Sequence, residues 1–170
     1  MPAPIVIADY DPVWPVAFER IRATVLAAFA GRPAEVEHVG STSVPGLAAK
    51  PILDIDVVVP APGDLAPAIE ALAGLGYRHR GDLGIPGREA FEAPDDGEPT
   101  RHLYLVVAGS LPHRDHLDFR DHLRAHPEAA EAYAKLKRQL AAKFRDDREG
   151  YTQAKAEFVL ATLAEARTAG

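Results

Sequence analysis

Residues 35–59 read EVEHVGSTSVPGLAAKPILDIDVVV, and this stretch decides the fold. Glu35 to Val39 and Ile52 to Val59 both read as strands, rich in β-branched residues. Successive side chains of a strand alternate faces, so Ile52, Asp54, Asp56 and Val58 share one side while Leu53, Ile55, Val57 and Val59 share the other. The second face is wholly apolar and fit for a core. The first carries two acids whose Cα atoms lie roughly 7 Å apart, at about 3.3 Å rise per residue. Their oxygens can therefore converge on one or two hard cations. Mg²⁺ suits such a place, since it takes one or two carboxylates and completes its shell with water and phosphate. Between the strands, Gly40-Ser41-Thr42-Ser43 turns away with one glycine and three hydroxyls. Glycine admits close backbone approach, and the donors after it suit a triphosphate. Gly-Ser turns and Asp-x-Asp pairs are each commonplace alone; their order, spacing and strand context together point to metal-assisted chemistry on a nucleotide.

Working outward, Asp11 is placed to cap a helix with Pro12 at its first position. Trp14, Phe18, Ile21, Val25 and Phe29 recur at helical spacing as a core stripe, and Gly31 ends the helix. A second helix is expected from Leu65 to Leu75, closed by Gly76, with short strands at Tyr77 to Arg80 and Arg88 to Ala93 amid glycine- and proline-rich turns. Thr100 to Val107 reads as a strand with Leu103, Leu105 and Val107 on one face and His102, Tyr104 and Val106 on the other. Helices are expected at His116 to Ala125, Pro127 to Phe144 and Thr152 to Ala166, the middle one with an apolar stripe of Tyr133, Leu136, Leu140 and Phe144. The fold class is therefore α/β (α+β), a small mixed sheet with helices packed mainly on one face. We read residues 1–170 as one domain, with a core over 1–112 and a helical segment over 113–170.

A chain of 170 residues suits a single core. Without cysteine there are no thiolate zinc sites, thiol nucleophiles or disulfides. No apolar run approaches a membrane span, and the N-terminus lacks the form of a secretion signal, so a cytoplasmic protein without membrane contact is expected. A net charge of −6 argues against a general nucleic-acid surface, which needs clustered Lys and Arg.

A triphosphate site also draws on basic side chains. Arg120 and Arg124 share a helix face four residues apart; Lys137 and Lys155 each border an apolar stripe. Together they can line a groove over the acids, or they can make surface ion pairs worth about 0–1 kcal/mol each. His38, before the turn, either positions phosphate or caps the strand, and Lys50 stands at the entrance to the Asp strand. His122 and His126, spaced i, i+4, have one zinc-site geometry, but Pro127 starts a new helix beside them and no His-Glu-x-x-His motif is present.

Val39-Gly40-Ser41 followed by Asp54-Ile55-Asp56-Val57 resembles the signature of the nucleotidyltransferase superfamily. A narrower resemblance covers nearly the whole chain. Tyr10-Asp11-Pro12-Val13-Trp14, the run from His38 to Ile55, Phe119-Arg120-Asp121-His122-Leu123-Arg124 and Tyr151-Thr152-Gln153-Ala154-Lys155 are similar to the GrpB family, which is classed by fold with nucleotidyltransferases and also occurs fused behind dephospho-CoA kinase. The resemblance implies that Asp54 and Asp56 bind Mg²⁺, that Gly40, Ser41 and Thr42 hold phosphates of a nucleoside triphosphate, and that an acceptor hydroxyl receives the nucleotidyl group; the acidic net charge favours a small-molecule acceptor. His102 would join Asp54 and Asp56 in catalysis; His38, Lys50, Arg120, Arg124, Lys137 and Lys155 would contact the nucleotide. Two departures stand out. Nucleotidyltransferases usually set a third carboxylate on the neighbouring strand, where this chain shows none, and the His-Leu-His usual in GrpB-like chains reads His102-Leu103-Tyr104 here. A non-catalytic nucleotide-binding or folding-assistance module, and a histidine-based metallohydrolase, are the competing expectations.

Overall fold

The structure is a computed structural model that describes residues 3–168. Five strands, β1 (Glu35–Val39), β2 (Leu53–Val59), β3 (Arg78–His79), β4 (Arg88–Glu92) and β5 (Arg101–Val107), form one sheet in the order β1-β2-β5-β4-β3. The central β2–β5 pair is parallel; the β1–β2, β4–β5 and β3–β4 pairs are antiparallel. Among the described residues five helices accompany it: α1 (Val13–Ala28), α2 (Leu65–Gly74), α3 (Leu111–Ala125), α4 (Pro127–Lys143) and α5 (Arg148–Thr168).

The apolar face of β2 packs on α1 and α2. Trp14, Phe18, Ile21, Val25 and Phe29 meet Leu53, Ile55, Val57 and Val59, with Leu103 and Leu105 of β5 and Leu72 of α2 in the same core. Burying each large aliphatic side chain contributes about 1.5–3 kcal/mol. This core anchors the strand whose opposite face carries the acids. Asp11 accepts the Val13 amide at 2.9 Å, so the helix starts one residue later than the proline alone suggests.

Three expectations are corrected. The helices cover both faces of the sheet and not mainly one: α3 lies across the acid-bearing face, where Phe119 and Leu123 join Val44, Leu47, Tyr133 and Leu163 in a second core. That helix begins at Leu111, not His116, because Ser110 is extended and Pro112 fits a first turn. The buried line of α4 is Tyr133, Lys137 and Ala141, with Leu136 and Leu140 only half-buried. A lysine takes the core position because its ammonium reaches the Ala48 carbonyl at 2.5 Å and lies 4.5 Å from the Tyr133 ring centre. Among the described residues, no helix is long and apolar enough to cross a membrane.

Candidate functional site

Strand alternation puts Asp54 and Asp56 on the face away from α1. Parallel pairing then sets His102 beside Asp54 and Tyr104 beside Asp56. Across the other edge, Val39 pairs with Asp54, so the chain leaving β1 at Gly40 turns directly over that carboxylate. Gly40 has φ 72° and ψ −173°, a conformation open in practice only to glycine, and a Cβ there would overlap the Asp54 carboxylate. One tight helical turn, Ser41–Ser43, follows, with the Ser43 hydroxyl donating to the Gly40 carbonyl at 2.5 Å.

The two acids differ in surroundings. Asp54 is half-buried, and its Oδ1 accepts from His102 Nδ1 at 3.1 Å. Asp56 is fully buried; Oδ2 accepts from His116 Nδ1 at 2.7 Å, while Oδ1 has no partner among the described residues. Burial pushes the Asp56 carboxyl above its ordinary range, opposed in part by the His116 bond. Burial also works against protonation of His116, but the bond to Asp56 and the charges of Asp56 and Asp54 outweigh it and raise the imidazole. The pair therefore holds a proton more firmly than a free histidine does. Tyr104 lies between the histidines, its hydroxyl pushed up to about 12 by burial and then by Asp54, with the Arg88 guanidinium 4.3 Å from its ring centre.

Above the acids is a cavity of about 350 Å³, lined by Ser41, Lys50, Asp54, Arg88, His102, Tyr104, Lys137, Tyr151, Thr152 and Lys155 among others. An adjoining lobe of about 240 Å³ adds Gly40, His116, Phe119 and Tyr133. Lys50 and Lys155 stand 4.6 and 5.3 Å from the centre of the Tyr151 ring. Burial and then the neighbouring Lys155 bring the Lys137 ammonium down to about 7. Burial likewise lowers Lys155, against the pull of Asp54, and burial with Lys155 lowers Lys50. Four buried side-chain atoms lack any hydrogen-bond partner among the described residues: Asp56 Oδ1, Arg88 Nε, Tyr151 OH and Ser110 Oγ. The first three belong to this site. A larger groove of about 810 Å³, beside Tyr10, Leu47 and Leu123, is mainly apolar and has none of these orphaned atoms, so the chemistry is assigned to the smaller cavity.

The donor set fits a magnesium ion that keeps water or phosphate in its shell: two carboxylates on one strand face, one of them with a free, buried oxygen. A closed all-protein cage is absent, since no group of three or more His, Cys, Asp or Glu among the described residues is arranged to hold a metal. The same holds for the zinc reading of His122 and His126, whose rings stack 4.1 Å apart with His126 Nδ1 bonded to the His122 carbonyl.

Of the residues singled out in the sequence, Asp54, His102, Gly40, Ser41, Lys50, Lys137 and Lys155 line the two lobes, with Asp56 beneath them. Besides Asp56, four do not line either lobe. His38 is buried, stacked on Phe18 and hydrogen-bonded to Thr42 at 2.9 Å, and burial followed by the Arg124 charge drops its imidazole to about 4. Thr42 is consumed by that bond. Arg120 binds Glu37 at 2.8 Å and the His38 carbonyl at 3.2 Å, and Arg124 binds the Ser43 carbonyl at 3.0 and 2.9 Å. They brace the turn from behind and line a separate groove with Glu35 and Glu37, because α3 crosses β1 on that side. Sequence reasoning missed Arg88 and His116. Arg88 pairs in register with Val106, which places it on the His102 and Tyr104 face; the sequence offered only its place at the start of a short strand.

The chain belongs to the GrpB family: residues 4–165 match the family described as GrpB protein. It is 37% identical over 163 residues to the UPF0157 protein SCO7215 of Streptomyces coelicolor, spanning 96% of this chain and 84% of that protein. It is 35% identical over 150 residues to the UPF0157 protein YqkA of Bacillus subtilis, spanning 88% of this chain but only 43% of that relative's length. Dephospho-CoA kinase of Mycolicibacterium paratuberculosis is 28% identical over 178 residues, which cover 90% of this chain and 44% of that enzyme. Among solved structures, the conserved protein GrpB from Enterococcus faecalis superposes with a TM-score of 0.81 at 33% identity, covering 95% of this chain and 96% of that one. A mutant Cid1 poly(U) polymerase bound to MgATP superposes with a TM-score of 0.50 at 14% identity, covering 78% of this chain and 45% of that one. The fold is thus nucleotidyltransferase-like.

Proposed function

We propose that this GrpB-family chain binds a nucleoside triphosphate over Asp54 and passes its nucleotidyl group to a hydroxyl of a small-molecule acceptor. One observation carries the reading: two orphaned buried donors, Arg88 Nε and Tyr151 OH, and the cationic side chains of Lys50, Lys137, Lys155 and Arg88 surround a cavity over Asp54, with the unpartnered Asp56 Oδ1 on the same strand face beneath it. Buried polar groups left without partners are rare in a folded chain and mark a place where a polar ligand completes the bonding. The fold shared with a MgATP-bound polymerase supports it. Asp54 and Asp56 would hold Mg²⁺, which when bound supplies positive charge to the phosphates in the transition state. The chain's own residues do the rest. Gly40 lets the turn close on Asp54, and Ser41 lines both lobes, from which its hydroxyl would donate to a phosphate. Asp54 orients His102 through Nδ1, leaving Nε2 as the basic nitrogen that accepts the acceptor hydroxyl's proton. The acceptor oxygen bonds to the α-phosphorus, the bond from that phosphorus to the bridging oxygen breaks, and pyrophosphate leaves.

The bonding partners on β5 favour a second reading, a nucleotide-binding module without turnover, because His102 and Tyr104 stand where a third carboxylate would be expected. Incubation with α-labelled ATP or CTP, Mg²⁺ and a cell extract separates the two. Label transferred to a small molecule, and lost in Asp56→Asn, is the expected result. Nucleotide binding with no transfer by the unaltered chain refutes the enzyme reading in favour of the module.

A further inference from the structure

We infer that the cavity takes a linear polyphosphate chain through the side chains of Lys50, Lys137, Lys155 and Arg88 without needing a divalent cation, so that the metal serves transfer and not docking. The inference rests on the cavity assigned above, but not on turnover. Its first support is charge. None of the four cations makes an ion pair among the described residues, and Asp54 is the sole carboxylate among the residues lining the two lobes. Both acids already have a partner within the chain, Asp54 in His102 and Asp56 in His116. The cavity therefore presents surplus positive charge before any metal arrives.

The second support is how the cations are held. Lys50 and Lys155 rest near the Tyr151 ring, and Arg88 rests over Tyr104. An aromatic face steadies a cation while leaving its N–H donors unspent. Arg88 Nε and Tyr151 OH are both buried and unpartnered, which gives two more donors for phosphate oxygens. Crowding of the lysines agrees: burial lowers all three, the Lys155 charge further lowers Lys50 and Lys137, and an anion among them relieves that repulsion. Arg88 also answers for the missing carboxylate of β5. Where a third acid would call for a second metal, this chain sets a guanidinium over a tyrosine.

Calorimetry with inorganic tripolyphosphate tests this, in EDTA and then in Mg²⁺ at equal ionic strength. The expected result is binding in EDTA, with affinity changed by less than about threefold in Mg²⁺ and at least about tenfold tighter than for orthophosphate. Lys155→Gln and Lys50→Gln should each weaken binding about tenfold with unchanged circular dichroism, whereas Lys135→Gln, on an exposed position, should not. Asp54→Asn should bind as tightly as the unaltered chain or more so, because it removes a like charge. Binding seen only with Mg²⁺ and lost in Asp54→Asn overturns the inference while leaving the transfer reading intact. No binding of tripolyphosphate or ATP in either medium overturns both. Binding in EDTA without label transfer upholds the inference and removes the enzyme reading.

Discussion

Replacing Gly40 with alanine tests the geometry on which the site depends. At φ 72° and ψ −173° an alanine is strained by about 1–3 kcal/mol. The new methyl also meets the Asp54 carboxylate and lies 2.9 Å from Asp54 Cβ and 3.0 Å from Cγ. Rotating the Asp54 side chain cannot clear the Cβ contact, so the turn or β2 must shift. That shift weakens the half-exposed Asp54–His102 bond by about 0.5–1 kcal/mol. The sum is a loss of about 2–4 kcal/mol. In urea denaturation followed by far-ultraviolet circular dichroism, with a slope of about 2 kcal/mol/M, the midpoint should fall by about 1–2 M. Gly46 in the same connection is the control: its φ is 81°, but nothing lies within 4 Å of an added Cβ. Gly46→Ala should carry only backbone strain of about 1–2 kcal/mol. If Gly40→Ala lowers the midpoint no further than Gly46→Ala does, the close packing of turn on carboxylate is refuted.

Further outcomes follow from single side chains. Tyr151→Phe removes a buried hydroxyl that has no hydrogen-bond partner among the described residues, so the melting temperature should hold or rise slightly while tripolyphosphate affinity drops; a clear loss of stability would show that the hydroxyl is satisfied. Lys137 has an ammonium lowered to about 7 in the folded chain against its ordinary value of 10.5, so the unfolded chain binds the extra proton between those values and stability should rise with pH across that window. Urea titrations at pH 7, 8.5 and 10 should show the rise, and Lys137→Met should flatten it. Asp56→Asn removes a buried charge that is only half satisfied; stability at neutral pH should be unchanged or higher, by up to about 2 kcal/mol, even as label transfer is lost. Denaturation and transfer assays on the same preparation check both halves.

The sheet was legible because it is written in alternation. Glu35–Val39 forms as read, and the period of Thr100 to Val107 placed His102 and Tyr104 on the face that lies beside Asp54 and Asp56. The α1 stripe was equally legible, since Trp14 through Phe29 packs into the main apolar core. Periodicity stops at the element's own axis, however. It tells which side of a strand a residue takes, but not which distant element covers that side. His116 lies sixty residues from Asp56 and was one of five histidines between His102 and His126, so its bond to the buried carboxylate had no local mark. Arg120 and Arg124 were read toward the acids because charge complementarity favoured it; the path of α3 across β1 turned them to backbone carbonyls instead. The burial of Lys137 was hidden for a different reason. A lysine in a stripe reads as its polar edge, and only the Ala48 carbonyl and the Tyr133 ring explain why it is the buried member.

The energetics of β2 explain why the site is found on this strand. One face, Leu53, Ile55, Val57 and Val59, is almost fully removed from water and fixes the backbone against α1 and α2. A strand held that firmly tolerates what a loose one does not: a buried carboxylate with one unpaired oxygen on its reverse side. Such a group is destabilising by several kcal/mol unless its charge is answered, and His116 answers only one oxygen. The lysines on the far wall are destabilising in the same sense, being partly buried and repelling one another. Opposite charges would lower their combined cost by pairing, yet no lysine of the cavity contacts either acid within ion-pair distance among the described residues. The fold keeps the two sets apart across a cavity sized for a small ligand. Separated, mutually unsatisfied charges are what a phosphate chain with a cation at one end would join, because its oxygens meet the lysines while the cation meets the carboxylates. The apolar core thus supplies the stability against which an uncompensated site is maintained.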